Sequence, residues 1–381
     1  MPSTLHVGSH PGEYHTIQAA VDAAHSNDTI RVDPGTYTEQ VVINNNGHAR
    51  DNLKLEGSGE HSTIIKAPPL SSMTGHHAIV EVENARNVTI EDFTIEGPSS
   101  GANSGGNFYG VRVDNGSARI EDNHITKIED TPFNGVQEGV AILVGRAADG
   151  TTGTAIISHN LIDDYQKAGI VVDNVGSSAE IDHNKILGQG PTGLLSQNGI
   201  QISRGATADV SNNRISDNEF TGGGDVGSGV LLFQAGRVRV DHNTLSHNDV
   251  GINDQGSDNA VMEHNYISEN TTNGILLVST SGARIDHNTI DHNGSGNSGD
   301  GGIALYSSTN NTIDHNTSSH NNGDGIFVDS TSTGNTISHN KLRHNTNFDA
   351  EDQSTGTGTA GTGNTWTKNH GKTSSPPGLV S

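Results

Sequence analysis

The 381 residues carry 20 Lys and Arg against 44 Asp and Glu, a formal net charge of −24, which excludes a basic patch for nucleic acid or an anionic membrane surface. With no cysteine, disulfides, thiolate nucleophiles and Cys-based zinc sites are ruled out, and hydrophobic residues at 30% are too few for one large globular core. The 49 glycines fall among recurring Val, Ile and Leu clusters, so the chain reads as many short strands joined by polar turns rather than as disorder.

The opening MPSTLHVGSHPGEYHT lacks the basic and apolar regions of a signal peptide, and no apolar run reaches membrane-spanning length. In HTIQAAVDAAHSNDTIRV, Ile17, Ala20, Val21 and Ala24 fall at helical spacing. This predicts one amphipathic helix over about residues 16–25, covering the open end of a stacked β-structure.

Further along, a phrase repeats. An Asn closes each copy at Asn160, Asn184, Asn213, Asn243, Asn265, Asn288, Asn316 and Asn340, at intervals of 24, 29, 30, 22, 23, 28 and 24 residues, with Asp122-Asn123 as an earlier variant. AEIDHNKI, VRVDHNTL, ARIDHNTI and NTISHNKL show the pattern, and a second phrase alternates with it: GVAILV, GIVVD, GIQIS, GVLLF, GILLV, GIALY, GIFVD. Constant phrases at varying intervals predict an all-β solenoid, a single-stranded parallel β-helix of about 10–12 coils whose insertions fall in particular turns. The expected domain layout is a β-helix over residues 1–345 and an irregular last coil and tail over 346–381, with the sole tryptophan, Trp366, at the far end.

These repeats resemble the right-handed parallel β-helix superfamily of pectate lyases, alginate C-5 epimerases and NosD-like carbohydrate-binding and sugar-hydrolase repeats, from about Leu5 to Asn345. YHTIQAAVDAAHSNDTIRVDPGTYTEQVVI looks like the opening coil of pectin methylesterases and epimerase-type β-helices. The resemblance implies a carbohydrate-active protein. Alginate epimerases carry Tyr-Gly-Phe-Asp-Pro-His on the catalytic strand; the nearest text here is YGVRVDNG, in which Tyr109 and Gly110 match and the Asp and His do not. The Gly-x-x-Asp-Phe-x-Phe strand of the methylesterases has no counterpart.

In the later coils a second Asn follows the first by five residues, as in Asn243/Asn248, Asn288/Asn293 and Asn340/Asn345. Earlier coils break this rule: Tyr165 follows Asn160, Gln189 follows Asn184 and Ile128 follows Asn123. The same region holds the longer turns TKIEDTPFNGVQE, DDYQKA and LGQGPTGLLSQN. Broken regularity and long turns on a rigid scaffold point to function, which places the site between about Tyr109 and Asp225.

Alternation in the strands turns Arg112, Asp114, Asp173 and Gln201 outward, with Arg204 near the rim. Arg112 and Arg204 suit bidentate binding of a uronate carboxylate. In DDYQKAG, Tyr165 or Lys167 is the candidate proton-abstracting group, and Asp173 completes the catalytic set. Tyr109, Lys127, Glu138, Gln201 and Phe233 are the candidate substrate-binding residues. Asp114, Asp163 and Asp164 supply clustered oxygens of the kind Ca²⁺ prefers, and no organic cofactor is expected. The first reading is therefore an extracellular or secreted lyase or C-5 epimerase on a uronate-containing polysaccharide. A glycoside hydrolase using two of Glu138, Asp163, Asp164 and Asp173 is the alternative, and a non-catalytic glycan-binding or structural solenoid the third. The expected partner is a polysaccharide, without nucleic acid or membrane insertion, and the oligomeric state is left open. The histidines at His159, His183, His242, His264, His287, His315 and His339 read as a structural column, because a one-dimensional stack does not converge ligands as zinc requires.

Overall fold

A computed structural model describes residues 1–98 and 107–381 of the chain. They divide into two compact units, one of residues 1–189 with 205–207 and one of residues 190–204 with 208–381. In both, each repeat folds into a coil of three short strands, and every strand pairs in parallel with its counterpart in the neighbouring coil, giving a parallel β-helix.

In the first unit, Thr16 caps the helix Ile17–Ala23 through its hydroxyl, which accepts from the Ala19 amide at 3.2 Å. Ile17, Ala20, Val21 and Ala24 are fully buried, as the helical spacing predicts. The helix lies against the strands Thr4–Val7, Thr29–Val32 and Val41–Asn44. The carboxylate of Glu39 accepts from the Ile17 and Gln18 amides at 2.9 and 2.8 Å, satisfying donors that a helix start leaves open. One sheet runs from Thr4–Val7 to Ser178–Asp182, a second from Gly35–Thr38 to Lys185–Leu187. The third, with the longest strands, holds Val41–Asn44, Ala78–Glu83, Tyr109–Asp114, Val140–Val144 and Ala168–Asp173. Ile90, Ile120, Ile157 and Ile181 lie in register, fully buried, so the core is a stack of like residues, each worth about 1.5–3 kcal/mol of burial.

The second unit repeats this plan. Its long strands include Asn198–Ser203, Ser228–Phe233, Val250–Gln255, Asn273–Val278, Gly301–Tyr306 and Asp324–Val328. The glycine that begins the GILLV-type phrase faces the interior: a Cβ on Gly274 would lie 2.4 Å from Ile290. The Asn residues form continuous side-chain ladders. Asn213, Asn243, Asn265, Asn288, Asn316, Asn340 and Asn369 donate each to the next at 2.9–3.1 Å. A parallel series joins Asn218, Asn248, Asn270, Asn293, Asn321 and Asn345. A third, Asn311 to Asn335 to Asn364, went unnoticed in the sequence.

Residues 346–381 differ from the irregular coil and tail expected of them. Ala350–Asp352, Thr365–Thr367 and Ser374–Ser375 continue the parallel ladders. Trp366 pairs with Ile337 in register and is buried, its indole N–H donating to Asp352 Oδ2 at 2.8 Å. Gly and Thr fill the turns between these strands, which hid them from a reading based on apolar clusters.

Candidate functional site

In the first unit the outer face of the long-strand sheet carries a buried patch. Register sets Tyr109 beside Ala78 and Val140, and Arg112 beside Glu81 and Leu143. Leu143 in turn pairs with Val171. Ala78, Tyr109, Leu143, Ala168 and Val171 pack together, with Val140 at their edge. Arg112 is fully buried. Its Nε donates to Asp114 Oδ2 at 2.5 Å, its Nη2 to Asp149 Oδ2 at 2.6 Å, and its guanidinium lies 5.2 Å from the Tyr109 ring centroid. Asp114 Oδ1 accepts from Thr151 at 2.7 Å. His76 Nδ1 sits 2.7 Å from Glu81 and 3.5 Å from Asp114. Burial pushes the Glu81 carboxyl up from its ordinary range, against the pull of His76. Burial also works on Asp149, but hydrogen bonds from Arg112 and Arg146 hold it below the usual carboxylate range.

This corrects the expectation for Arg112. It points outward from its strand, yet the turn bearing Asp149 covers it, and two of its nitrogens already serve internal carboxylates. A uronate would have only the buried Nη1, which finds no partner among the described residues. Asp173, another expected catalytic group, is buried and accepts from the Ala147 amide at 2.8 Å, holding the turn that covers Arg112. At Asp114, expected as an oxygen ligand for calcium, Oδ2 accepts from the Arg112 guanidinium and Oδ1 from Thr151.

The second cluster is built on the long turn after the strand His124–Thr126. Gly139, at φ +81, ends it: a Cβ there would lie 2.4 Å from the Ile128 carbonyl and 2.6 Å from Gln166, so only glycine lets the turn close. Gln166, fully buried, ties the turn down. Its Oε1 accepts from the Asp130 amide at 2.8 Å and its Nε2 donates to the Val136 carbonyl at 2.8 Å. Asn134 donates to Asp130 Oδ2 at 2.6 Å. Closure leaves two buried carboxyl groups, Asp130 and Glu138, within hydrogen-bonding reach of each other. Burial, then the Asp130 charge, raises Glu138 to about 7. No N–H or O–H of the described residues reaches Glu138 Oε1 or Asp130 Oδ1. A proton on Glu138 would supply the donor these oxygens lack. Burial also raises Glu129, opposed by a hydrogen bond from Gln189. Gln189 was marked in the sequence by its break from the ladder. Asp130 and Gln166 were not singled out, although Asp130 lies in the long turn that was.

Tyr165 is a further correction. It occupies the inward place five residues after Asn160 and is fully buried, packed in the core rather than presented to a substrate. Lys167, two residues on, is half-buried. Lys127 is exposed and donates to Glu96 at 2.8 Å. Asp163 sits 3.0 Å from His124 Nε2; that hydrogen bond raises the histidine, and, against burial, His124 holds Asp163 low. Burial and then Asp163 raise Asp164. In the second unit, Gln201 accepts from Asn198 at 3.3 Å, and the exposed Arg204 lies 5.9 Å from the centre of the Phe233 ring.

The profile of the right handed beta helix region matches residues 36–253, 141–298 and 198–370. No curated protein matches the chain. Among solved structures, a DFA-IIIase from Arthrobacter chlorophenolicus A6 in complex with GF2 is similar with a TM-score of 0.60 at 15% identity, over 88% of this chain and 93% of that one. The Dettilon tailspike protein gives 0.60 at 17% identity, over 85% and 61%. An alginate lyase from Paenibacillus sp. str. FPU-7 gives 0.55 at 14% identity, over 75% and 95%.

Proposed function

The chain belongs to the right handed beta helix family, and on that premise we propose that it is a carbohydrate-active enzyme that cleaves a glycosidic bond with Glu138 as proton donor. The observation that carries this reading is the buried Asp130–Glu138 pair, in which Glu138 keeps its proton to about pH 7. An acid titrating near neutrality is what protonation of a glycosidic oxygen requires. The proton passes from Glu138 to the leaving oxygen as the C–O bond breaks; water then adds its hydroxyl to the sugar carbon and returns its other proton to the Glu138 carboxylate. Asp130 is a positioning residue: its charge holds the proton on Glu138. It is too close to Glu138 to act as the opposite carboxylate, for which glycosidases need a separation of roughly 5 Å or more. Two proteins similar in fold, a DFA-IIIase and an alginate lyase, agree with a carbohydrate substrate.

Elimination or C-5 epimerisation of a uronate has less support. It rests on Tyr165 or Lys167 as base and on Arg112 and Arg204 as carboxylate clamp; Tyr165 and Arg112 are fully buried, Lys167 is half-buried and Arg204 is exposed. No step of the proposed reaction requires calcium.

The test is a panel of polysaccharides and oligosaccharides, read for new reducing ends and for the ultraviolet absorbance of unsaturated uronate, with wild type and Glu138→Gln side by side. Reducing ends without that absorbance, lost about 100-fold or more in the variant, are the expected result. Unsaturated product, or undiminished cleavage by the variant, would overturn the proposal.

A further inference from the structure

The second unit carries, on its surface, two columns of histidine that the proposed reaction does not use. In one, the His287 and His315 rings stack at 5.0 Å and the His315 and His339 rings at 4.6 Å, each pair nearly parallel. In the other, His292 and His320 stack at 5.2 Å. A stack of rings alone does not converge ligands. Aspartates beside the columns change this, because the two oxygens of Asp314 and of Asp291 each reach histidines of two coils. Asp314 places Oδ2 2.6 Å from His315 Nδ1 and Oδ1 3.0 Å from His339 Nδ1. Asp291 repeats the arrangement with His292 at 2.6 Å and His320 at 3.0 Å. Asp286 Oδ2 lies 2.9 Å from His287 Nδ1 and also accepts from the exposed Arg284 guanidinium at 2.5 Å. Three groups result, Asp286/His287/His315, Asp314/His315/His339 and Asp291/His292/His320, each with three ligand atoms within 4.8 Å of one another.

We propose that these columns bind a borderline divalent cation of the zinc, copper or nickel class, held by two imidazole Nδ1 atoms and one carboxylate, with water completing the coordination. Two nitrogens and one oxygen suit such ions, whereas calcium and magnesium prefer oxygen throughout. On binding, the ion takes the place of the protons that bridge Asp and His. A neutral imidazole moves its proton to Nε2, and a protonated one releases it. The histidines are half-exposed, so the ion enters without unfolding a coil. His315 belongs to two of the three groups, so those two share a single ion. The columns therefore hold one ion each.

Calorimetric titration of the full chain with zinc chloride, and separately with calcium chloride, tests this. His315→Asn and His320→Asn each lose one zinc equivalent relative to wild type, and the double variant loses two. Asparagine tolerates the left-handed turn conformation these histidines adopt (φ 54 at both), so the coils persist, as circular dichroism will show. Asp314→Asn keeps the wild-type stoichiometry, because His315 still pairs with His287 and Asp286. A double variant that binds zinc like wild type, an Asp314→Asn chain that loses an equivalent, or calcium binding that disappears with His315 and His320 would overturn the proposal.

Discussion

The side-chain amide of Asn288 donates to the side-chain carbonyl of Asn316 at 3.0 Å while its own carbonyl accepts from Asn265 at 3.0 Å. The same amide reaches the Met262 carbonyl at 2.9 Å, and the same oxygen takes the Asn265 backbone N–H at 2.9 Å. One buried side chain thus satisfies two backbone groups of the preceding coil and, through the Asp286 carbonyl at 3.2 Å, one of its own. Asn288→Ala strands them, and buried unpaired groups cost about 1–3 kcal/mol each. We expect a loss of about 2–4 kcal/mol, read as a lower denaturation midpoint. The exposed neighbour Thr289→Ala should stay within about 0.5 kcal/mol of wild type.

Tyr165 separates core from catalysis. Tyr165→Ala opens a cavity at a fully buried site and should cost about 3–5 kcal/mol. Tyr165→Phe keeps the ring and should retain glycan cleavage at neutral pH. A large loss of turnover in a well-folded Tyr165→Phe chain would return this residue to the reaction.

Glu138 ties activity and stability to pH. Its folded-state value of about 7 lies above the ordinary 4.5, so the folded chain holds a proton that the unfolded chain releases. The stability this contributes is complete below about pH 4.5 and is lost as pH rises through 7. Cleavage should fall along an alkaline limb centred near pH 7. Glu138→Gln should flatten the pH dependence of the unfolding midpoint across that window.

Asp254 has the same sign at a different place. It faces the interior between Leu232 and Leu277, fully buried, and burial raises it to about 7. Its Oδ1 accepts from the Ser257 amide at 3.1 Å, while Oδ2 has no partner among the described residues. Above pH 7 the folded unit must hold a buried charge. Asp254→Asn removes it, and we expect stabilisation of about 1–3 kcal/mol at pH 8 and a smaller effect at pH 5. Equal effects at both pH values would show that the charge is not the cause.

The solenoid was legible because its cause is periodic: the same apolar residues and the same Asn must return in each coil to stack on themselves. The candidate site was legible only as a region. Glu138 was picked out from a long turn, but its pairing with Asp130 depends on Gly139 closing that turn and Gln166 pinning it, and neither leaves a repeating trace. Strand alternation turns Arg112 outward, yet alternation says nothing of the Asp149 turn folded over it. Tyr165 breaks the Asn ladder in the sequence, and its full burial gives that break a packing role. Ile128 and Asn218 fill the same place fully buried, and a large aromatic buried there serves the packing.

The turn before each ladder Asn is left-handed whatever residue fills it: Asp122 at φ 53, His159 at 57, Asn212 at 55 and His287 at 54. The backbone sets the pitch of that column, with successive histidine rings 4.6–5.2 Å apart, and leaves its lettering free among Asp, Asn and His. The surface thus behaves as a one-dimensional lattice of fixed spacing. Charge, ring stacking or ion capture can be written onto it one site at a time while the ladders beneath stay unchanged.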